Sequence, residues 1–169
     1  MDPGRKAILL LSSFVLIAVS AKEGYGQQEK EALALSSPAR NSILVNIALG
    51  NSSPLLVELL AQAGLGPLLS SEGPYTFFAP SEGACLKLRG QKPEVVRAVL
   101  SYHILEGKHT AADFRDGSRL RTIMGESISV LRKKEAVFIN GSQITAEDHV
   151  ARNGVRHTID ALLMPKNLQ

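Results

Sequence analysis

The first half of the chain carries apolar side chains at the spacing of amphipathic helices. Residues 43–49 show this spacing and are followed by a Gly-Asn pair, which typically ends a helix. Residues 54–63 form a second apolar stripe, which a Ser-Pro pair can cap and start and which a glycine ends. Ser81 predicts a capped helical turn that runs to Leu88, and residues 93–100 predict a further helix with proline at its first position.

Strand patterns interrupt and then replace these helices. A short β-favouring run at residues 75–79 ends at Pro80 and predicts a buried strand. Beyond residue 117, apolar and polar positions alternate, which predicts half-buried antiparallel strands with polar turns at residues 133–135 and at Asn140-Gly141. The positions expected to face inward are Ile128, Val130, Val137, Ile139, Ile144, Val155, His157 and Ile159.

Helices crowd into the first half of the chain and a meander of strands fills the second, so the pattern predicts an α+β domain. The 169 residues leave room for one ordinary domain. Hydrophobic residues at 44% and charged residues at 21% give the balance of a chain that buries a core. No internal repeat is present, which excludes solenoids and propellers. We expect the folded unit to cover residues 41–166.

The N-terminus has the composition of a targeting segment. Two basic residues precede the apolar run 7–19, which small residues follow and which is shorter than the roughly 20 residues that span a bilayer. We interpret residues 1–21 as a secretory signal peptide, with a permanent anchor as the alternative, and residues 22–40 as a flexible lead-in. Cleavage after Ala21 and cleavage after Gly26 both fit. The mature chain is then secreted, to the extracellular space, the cell surface or the periplasm, without an integral membrane anchor.

Charge and aromatic content argue against nucleic-acid binding. The net charge is +3, but basic and acidic residues are interspersed, and the densest basic run, 132–134, is followed at once by Glu135. The chain has no Trp and only 5% aromatic residues, so it offers few rings on which bases could stack. We expect no nucleic-acid partner.

The chemistry-bearing residues do not form a recognisable catalytic or metal motif. The spacings of His103, His109, His149 and His157 match no compact ligand pair, and no nucleophile elbow, paired carboxylates or phosphate loop is present. We therefore expect no enzymatic activity, no metal and no cofactor, and we place His149 in a solvated loop. The single cysteine, Cys85, lies in an apolar triplet and is expected to be buried and inert rather than reactive.

Three separated stretches resemble the signatures of the fasciclin (FAS1) domain family. Residues 76–81, Thr-Phe-Phe-Ala-Pro-Ser, are similar to the first signature, residues 100–107 to the central one, and residues 153–165 to the last. The resemblance covers nearly all of the chain from residue 41 to residue 165. It implies a fasciclin-like fold of antiparallel β-sheets in a wedge, with several short helices packed mainly from the N-terminal half. The residues taken as its structural motif are Thr76, Phe77, Phe78, Ala79, Pro80, Asn153, Gly154, Val155, His157, Ile159 and Asp160.

The resemblance also implies a function. Fasciclin domains are adhesion or interaction modules, so the chain is expected to bind an extracellular or cell-surface protein or a matrix component, or to self-associate. The region that looks like the family's recognition segment comprises Leu100, Tyr102, His103 and Ile104, although Tyr102 can equally bury its ring and keep its hydroxyl in water. The alternative function is an extracellular carrier of a lipid or another small apolar ligand, which requires an internal cavity.

The last signature predicts specific side-chain roles. Val155, His157 and Ile159 share a parity and should be buried, while Arg156 and Thr158 should face outward. A buried imidazole needs a hydrogen-bond partner, for which the Asp160 carboxylate and a carbonyl of the strand with Phe77 and Phe78 are the candidates. Gly154 permits a positive φ at the turn before this strand.

Three positions depart from the family pattern, and two further positions begin possible N-glycosylation sequences. Cys85 stands where the family usually has Phe, and Arg156 and Thr158 stand where it has apolar residues, which would alter any adhesive surface built there. Asn51 and Asn140 each begin an Asn-x-Ser sequence. We interpret both sequences as chance matches, because a helix end and a tight turn explain the two asparagines.

Overall fold

The computed structural model describes residues 41–50 and 53–168, which belong to one structural unit. The predicted signal peptide (1–21), the predicted lead-in (22–40) and the glycosylation sequence at Asn51 lie outside the described residues and stay predictions. The expected bounds of the folded unit, residues 41–166, also stay a prediction.

Short helices form where apolar periodicity, serine caps and proline starts coincide. Ser42, Ser53 and Ser81 each accept a hydrogen bond from a backbone N–H in the first turn of the helix that follows. The predicted helices are confirmed, and α3 is an addition that the pattern did not reveal. The helices are α1 (Ile43–Leu49), α2 (Pro54–Gln62), α3 (Gly66–Ser70), α4 (Glu82–Cys85) and α5 (Pro93–Ser101). Within the described part of the chain, no helix has the length and apolar character needed to cross a bilayer.

Seven strands form one sheet. They are β1 (Tyr75–Pro80), β2 (Ile104–Glu106), β3 (Arg119–Arg121), β4 (Ser127–Lys133), β5 (Ala136–Ile139), β6 (Ser142–Ala151) and β7 (Gly154–Ile159), in the spatial order β2-β1-β7-β6-β5-β4-β3. The α+β class is thereby confirmed. The sheet is mixed, however, because β1 and β7 pair in parallel, from Tyr75 with Gly154 to Pro80 with Ile159. The expectation of antiparallel pairing throughout is corrected at this pair.

The two outermost strands of the sheet also meet each other. Leu105 of β2 forms an antiparallel bridge with Thr122, just after β3, and the N–H of Ile123 donates to the carbonyl of Ile104 at 2.9 Å. The sheet therefore curls until its two ends touch, which gives it a barrel-like form and protects its edges at this point.

Two clusters of buried side chains lie on the two faces of β1 and β7. The helical cluster packs the helices against Phe77 and Ala79, and the barrel cluster fills the curled sheet and contains Phe78 and Ile159. Successive residues of β1 thus belong alternately to one cluster and the other, as the period of a strand requires. The two strands that carry the outer family signatures are buried on both faces.

Burial on both faces corrects one prediction. Val155, His157 and Ile159 are buried as expected, but Arg156 is only 8% exposed instead of facing solvent. Arg156 pairs with Phe77 of β1, whose side chain packs in the helical cluster, so the face predicted to be outward is covered. The predicted half-burial holds for β4, in which exposed residues alternate with the buried Ile128 and Val130.

The turn before β7 joins the helices to the sheet through one asparagine. Asn153, which is 1% exposed, accepts the N–H of Ile43 at its Oδ1 atom at 2.8 Å. Its Nδ2 atom donates to the carbonyls of Leu69 at 2.9 Å and Ser71 at 2.7 Å, and its own carbonyl accepts the N–H of Tyr75 at 2.9 Å. One residue therefore fixes the start of α1, the end of α3 and the start of β1.

Replacement of Gly154 by alanine should strongly destabilise this junction. Gly154 has a φ of +150°, and a Cβ atom there would overlap the carbonyl oxygen of Tyr75 on the paired strand. We expect Gly154→Ala to lower the free energy of unfolding by about 3 kcal/mol or more. Gly83→Ala is the matched control, because a Cβ at Gly83 has no neighbour within 4 Å. Its stability should be unchanged or higher by up to about 1 kcal/mol. Equal urea-unfolding midpoints for both variants would contradict the proposed role of the junction.

Candidate functional site

His103, in the central signature, has both ring nitrogens engaged in the interior. Its Nδ1–H donates to the carbonyl of Val99 at 2.8 Å, and its Nε2 accepts the N–H of Leu163 at 3.0 Å. These partners fix a neutral ring with the proton on Nδ1. Burial lowers the pKa of His103 to about 4, although the hydrogen bond to Val99 opposes this effect. His103 thus ties α5 to the segment that follows β7, and its ring has no nitrogen left to act as a base.

His157, in the last signature, is held in the opposite tautomer. Its Nε2–H donates to the carbonyl of His109 at 2.8 Å, and its Nδ1 accepts the N–H of Asp148 at 3.3 Å. The ring also stacks against Phe78, with centroids 5.7 Å apart, and meets the edge of Phe114 at 5.1 Å. Burial is the main cause of a lowered pKa for His157, which the His109 carbonyl and the Asp148 carboxylate only partly offset.

The partners of His157 differ from those predicted. Asp160 accepts the N–H of Gln143 instead, at 2.9 Å, and no carbonyl of β1 bonds to the ring. The actual partner, His109, is positioned by Thr76, whose hydroxyl accepts the N–H of His109 and donates to the carbonyl of Gly107, both at 2.8 Å. Thr76 of the first signature therefore holds the loop whose carbonyl accepts the hydrogen bond from His157 of the last signature.

The position of His149 differs from its prediction. It lies within β6 rather than in a loop, although its side chain is exposed as expected. The pairing of β6 with β7 is irregular between Ala146 and His149, and Asp148 there has a φ of +53°. This irregularity turns the N–H of Asp148 toward the ring of His157.

The four residues predicted to bind a partner all lie inside the domain. Leu100, His103 and Ile104 are fully buried and Tyr102 is 2% exposed. A partner that docks on the folded surface would therefore not contact the side chains of Leu100, His103 and Ile104. Their role in binding stays a prediction, and their role in the structure is to fill the core between α5 and the sheet.

A cleft of about 1060 Å³ opens to solvent directly above one of these residues. Tyr102 forms part of its floor. The walls come from β3, β4, the turn after β5 and residues 162–167, which we call the C-terminal segment. The lining includes Leu162 and Met164 from that segment beside hydroxyl and amide side chains from the strands. The cleft is therefore a concave surface that includes a residue of the predicted recognition segment, and we take it as the candidate site.

A hydrogen-bond network organises the floor of the cleft. The Tyr102 hydroxyl accepts the Nδ2–H of Asn140 at 3.0 Å and donates to the carbonyl of Ser127 at 3.4 Å. The Oδ1 atom of Asn140 accepts two hydrogen bonds from Ser129, one from the backbone N–H at 2.7 Å and one from the hydroxyl at 3.0 Å. Asn140 and Gly141 both have positive φ values, which confirms the predicted tight turn. The turn residue is thus also a component of the site, which its sequence signal alone did not indicate.

The charges around the cleft are mainly positive. Arg119 of β3 and Lys166 of the C-terminal segment are both exposed, and Glu126 is the acidic residue among the lining residues. No sequence motif marked these three residues. Arg119 and Glu126 belong to the hairpin of β3 and β4, whereas Lys166 comes from a segment about 40 residues further along the chain.

The other candidate residues are the single cysteine and the side chains that could bind a metal ion. Cys85 is fully buried, as predicted, with its Sγ atom 3.7 Å from the carbonyl of Pro80. Burial raises the pKa of its thiol to about 11, which removes thiolate reactivity near neutral pH. Across residues 41–50 and 53–168, no three His, Cys, Asp or Glu side chains are placed to share a metal ion.

Comparisons with known proteins identify similar chains. The family model described as Fasciclin domain matches residues 52–165. Protein sll1483 of Synechocystis sp. is 30% identical over 172 residues, which cover 94% of each chain. Transforming growth factor-beta-induced protein ig-h3 of Sus scrofa is 34% identical over 137 residues. That match covers 76% of this chain but 20% of ig-h3, so this chain corresponds to one part of a much longer protein.

A solved structure with a similar fold is a FAS1 domain pair from the insect cell adhesion molecule Fasciclin I, with a TM-score of 0.58 and 17% sequence identity. The likeness covers 75% of this chain and 52% of that chain. At this identity the likeness concerns the fold alone, and it confirms the fold that the three signatures implied.

Removal of the buried ring of His157 should destabilise the domain. His157→Ala leaves the N–H of Asp148 and the carbonyl of His109 without these partners and removes the contacts with Phe78 and Phe114. We expect a loss of about 1 to 3 kcal/mol in the free energy of unfolding. His149→Ala, at the exposed neighbouring position in β6, should change stability by no more than about 0.5 kcal/mol. An unchanged melting temperature for His157→Ala, together with the loss of a binding activity, would assign His157 to a functional surface.

Acid should destabilise the domain through its buried histidines. Because the folded pKa of His103 is about 4 and the pKa of an unfolded histidine is about 6.5, the unfolded state binds a proton first. The stabilising contribution of His103 is therefore complete above about pH 6.5 and is lost as the pH falls toward 4. His157, with its lowered pKa, acts with the same sign. Urea unfolding should show a loss of about 2 kcal/mol from His103 alone between pH 7.5 and pH 5. His103→Gln should flatten this dependence, and a slope unchanged by the substitution would contradict the assignment.

Proposed function

We propose that this chain, which belongs to the fasciclin domain family, is a secreted non-enzymatic adhesion or interaction module that binds protein or matrix partners at the cell surface. The observation that carries the proposal is the match of the family across the folded domain, including nearly the full length of a relative of the same size. The similar fold in a chain from a cell adhesion molecule supports it.

The burial and hydrogen bonding of the potentially reactive side chains support a non-enzymatic role. Both signature histidines have their ring nitrogens bonded to backbone groups, and the cysteine is buried with a raised pKa. A general base or nucleophile needs a reactive atom that a substrate can reach. These side chains instead hold the loops and strands in place, so recognition is left to the surface.

The second candidate function, a carrier for a small apolar ligand, is less well supported by the cleft. A carrier encloses its ligand in a mainly apolar cavity. This cleft is open to solvent, and Arg119, Glu126, Lys166 and Asn140 contribute polar groups to its lining. Such a surface is better suited to a polar partner that stays partly in water.

The proposed function predicts saturable binding to an outer surface. The chain recovered from outside its producing cells, labelled at one site, should bind intact cells or matrix of the same organism with a measurable Kd. A basic protein of similar size and net charge serves as the control for non-specific attraction. Partners captured from the surface fraction should then be identified. Non-saturable binding equal to that of the control would contradict the proposal. Native mass spectrometry that shows a retained apolar ligand would favour the carrier instead.

A further inference from the structure

The cleft above Tyr102 combines exposed cations with clustered hydroxyl and amide groups. From this combination we propose that the cleft binds an acidic oligosaccharide, a sugar chain that carries carboxylate or sulfate groups. The inference deepens the proposed function, on which it rests, because it names the chemical class of the surface partner.

The floor and the strand wall of the cleft present groups that suit sugar hydroxyls. Ser127 and Ser129 are exposed on the outer face of β4, and Asn140 lies in the turn that follows β5 and bonds to Ser129. Ser129 donates its hydroxyl hydrogen to Asn140, which leaves the lone pairs of its oxygen to accept from a ligand. The bond from Asn140 to Tyr102 and the bond from Tyr102 to the carbonyl of Ser127 hold these groups in place before a ligand arrives.

Basic side chains in the cleft and next to it could bind the carboxylate or sulfate groups of the ligand. Arg119 and Lys166 line the cleft on two different segments of the chain. Arg121 lies two residues from Arg119 on β3, so it shares the outer face at a spacing of about 7 Å. Lys133 shares the face of Ser129 on β4 and is also exposed. A guanidinium binds a carboxylate or sulfate with two parallel hydrogen bonds, which makes Arg119 the expected main contact.

The same surface is less suited to a nucleic acid. Single-stranded nucleic acids bind through aromatic rings that stack on the bases. The ring of Tyr102 is buried, and on the outer face the ammonium of Lys133 lies 6.0 Å from the centroid of the Phe138 ring. Hydrogen-bonding groups and cations therefore dominate over stacking surfaces here, as the recognition of an acidic sugar requires.

The test is a calorimetric titration of the full chain with defined oligomers. The probes are a galacturonic acid hexamer, a sulfated dextran oligomer, a neutral dextran oligomer and a single-stranded oligonucleotide. We expect the galacturonate or the sulfated oligomer to bind, with an affinity that falls as salt is raised, and the neutral oligomer to bind at least about tenfold more weakly. The stronger of the two acidic probes identifies the acidic group that the cleft prefers.

Charge-matched variants locate the binding in the cleft. The double variant Arg119→Gln with Lys166→Gln should weaken the binding of the acidic oligomer about tenfold or more. Lys87→Gln with Arg89→Gln removes the same charge from exposed positions that do not line the cleft, and it should leave affinity within about twofold. Glu126→Gln should tighten binding, because it removes the negative charge that opposes the ligand. The melting temperature of each variant checks that the domain stays folded.

Several outcomes would overturn the inference. They are equal losses in the two double variants, tighter binding of the oligonucleotide than of either acidic sugar, and no binding of any acidic oligomer. If the chain still binds intact cells saturably in that last case, the inference fails and the proposed function stands. If the chain binds neither acidic oligomers nor cells, both fail.

Discussion

The parallel pairing of β1 with β7 is the constraint on which the rest of the structure depends. The two strands are far apart in sequence and have both faces buried, so they divide the interior into the helical cluster and the barrel cluster. Their close approach requires glycine at position 154, where any side chain would strike the backbone of Tyr75. Asn153 then links this pair to α1 and α3 through its amide group. The two residues of this turn therefore contact both the helices and the neighbouring strand.

Buried polar groups give this interior its specific arrangement. An unpaired polar group in a dry core costs free energy, so each one favours the conformation that supplies its partner. His103 fixes the C-terminal segment against α5, and His157 fixes the loop that Thr76 holds at His109. The polar residues of the signatures thus act in the assembly of the interior. If the chain binds a partner as proposed, the exposed residues would contact it.

The cleft connects that interior to the surface. Tyr102 belongs to the barrel cluster through its ring, while its hydroxyl bonds to Asn140 at the floor of the cleft. The core therefore positions a set of hydrogen-bonding groups, and Arg119 and Lys166 line the same cleft. A partner recognised here would read the surface charges of this chain, which substitutions can change without disturbing the buried signatures.

The sequence alone determined the local elements, because caps, proline starts and apolar periods act within a few residues: Ser53 with Pro54 began a helix, and Asn140-Gly141 made a turn. The three signatures also indicated the family and its fold. Only the tertiary structure decided which faces are covered. Arg156 follows the alternation of an outward residue, yet it is only 8% exposed, because it lies on the same face as Phe77 in the helical cluster. The partners of His157 come from the loop at His109 and from the irregular pairing at Asp148, and segments distant in sequence line the cleft. Contacts between residues tens of positions apart depend on how whole strands pack, and no local pattern encodes them.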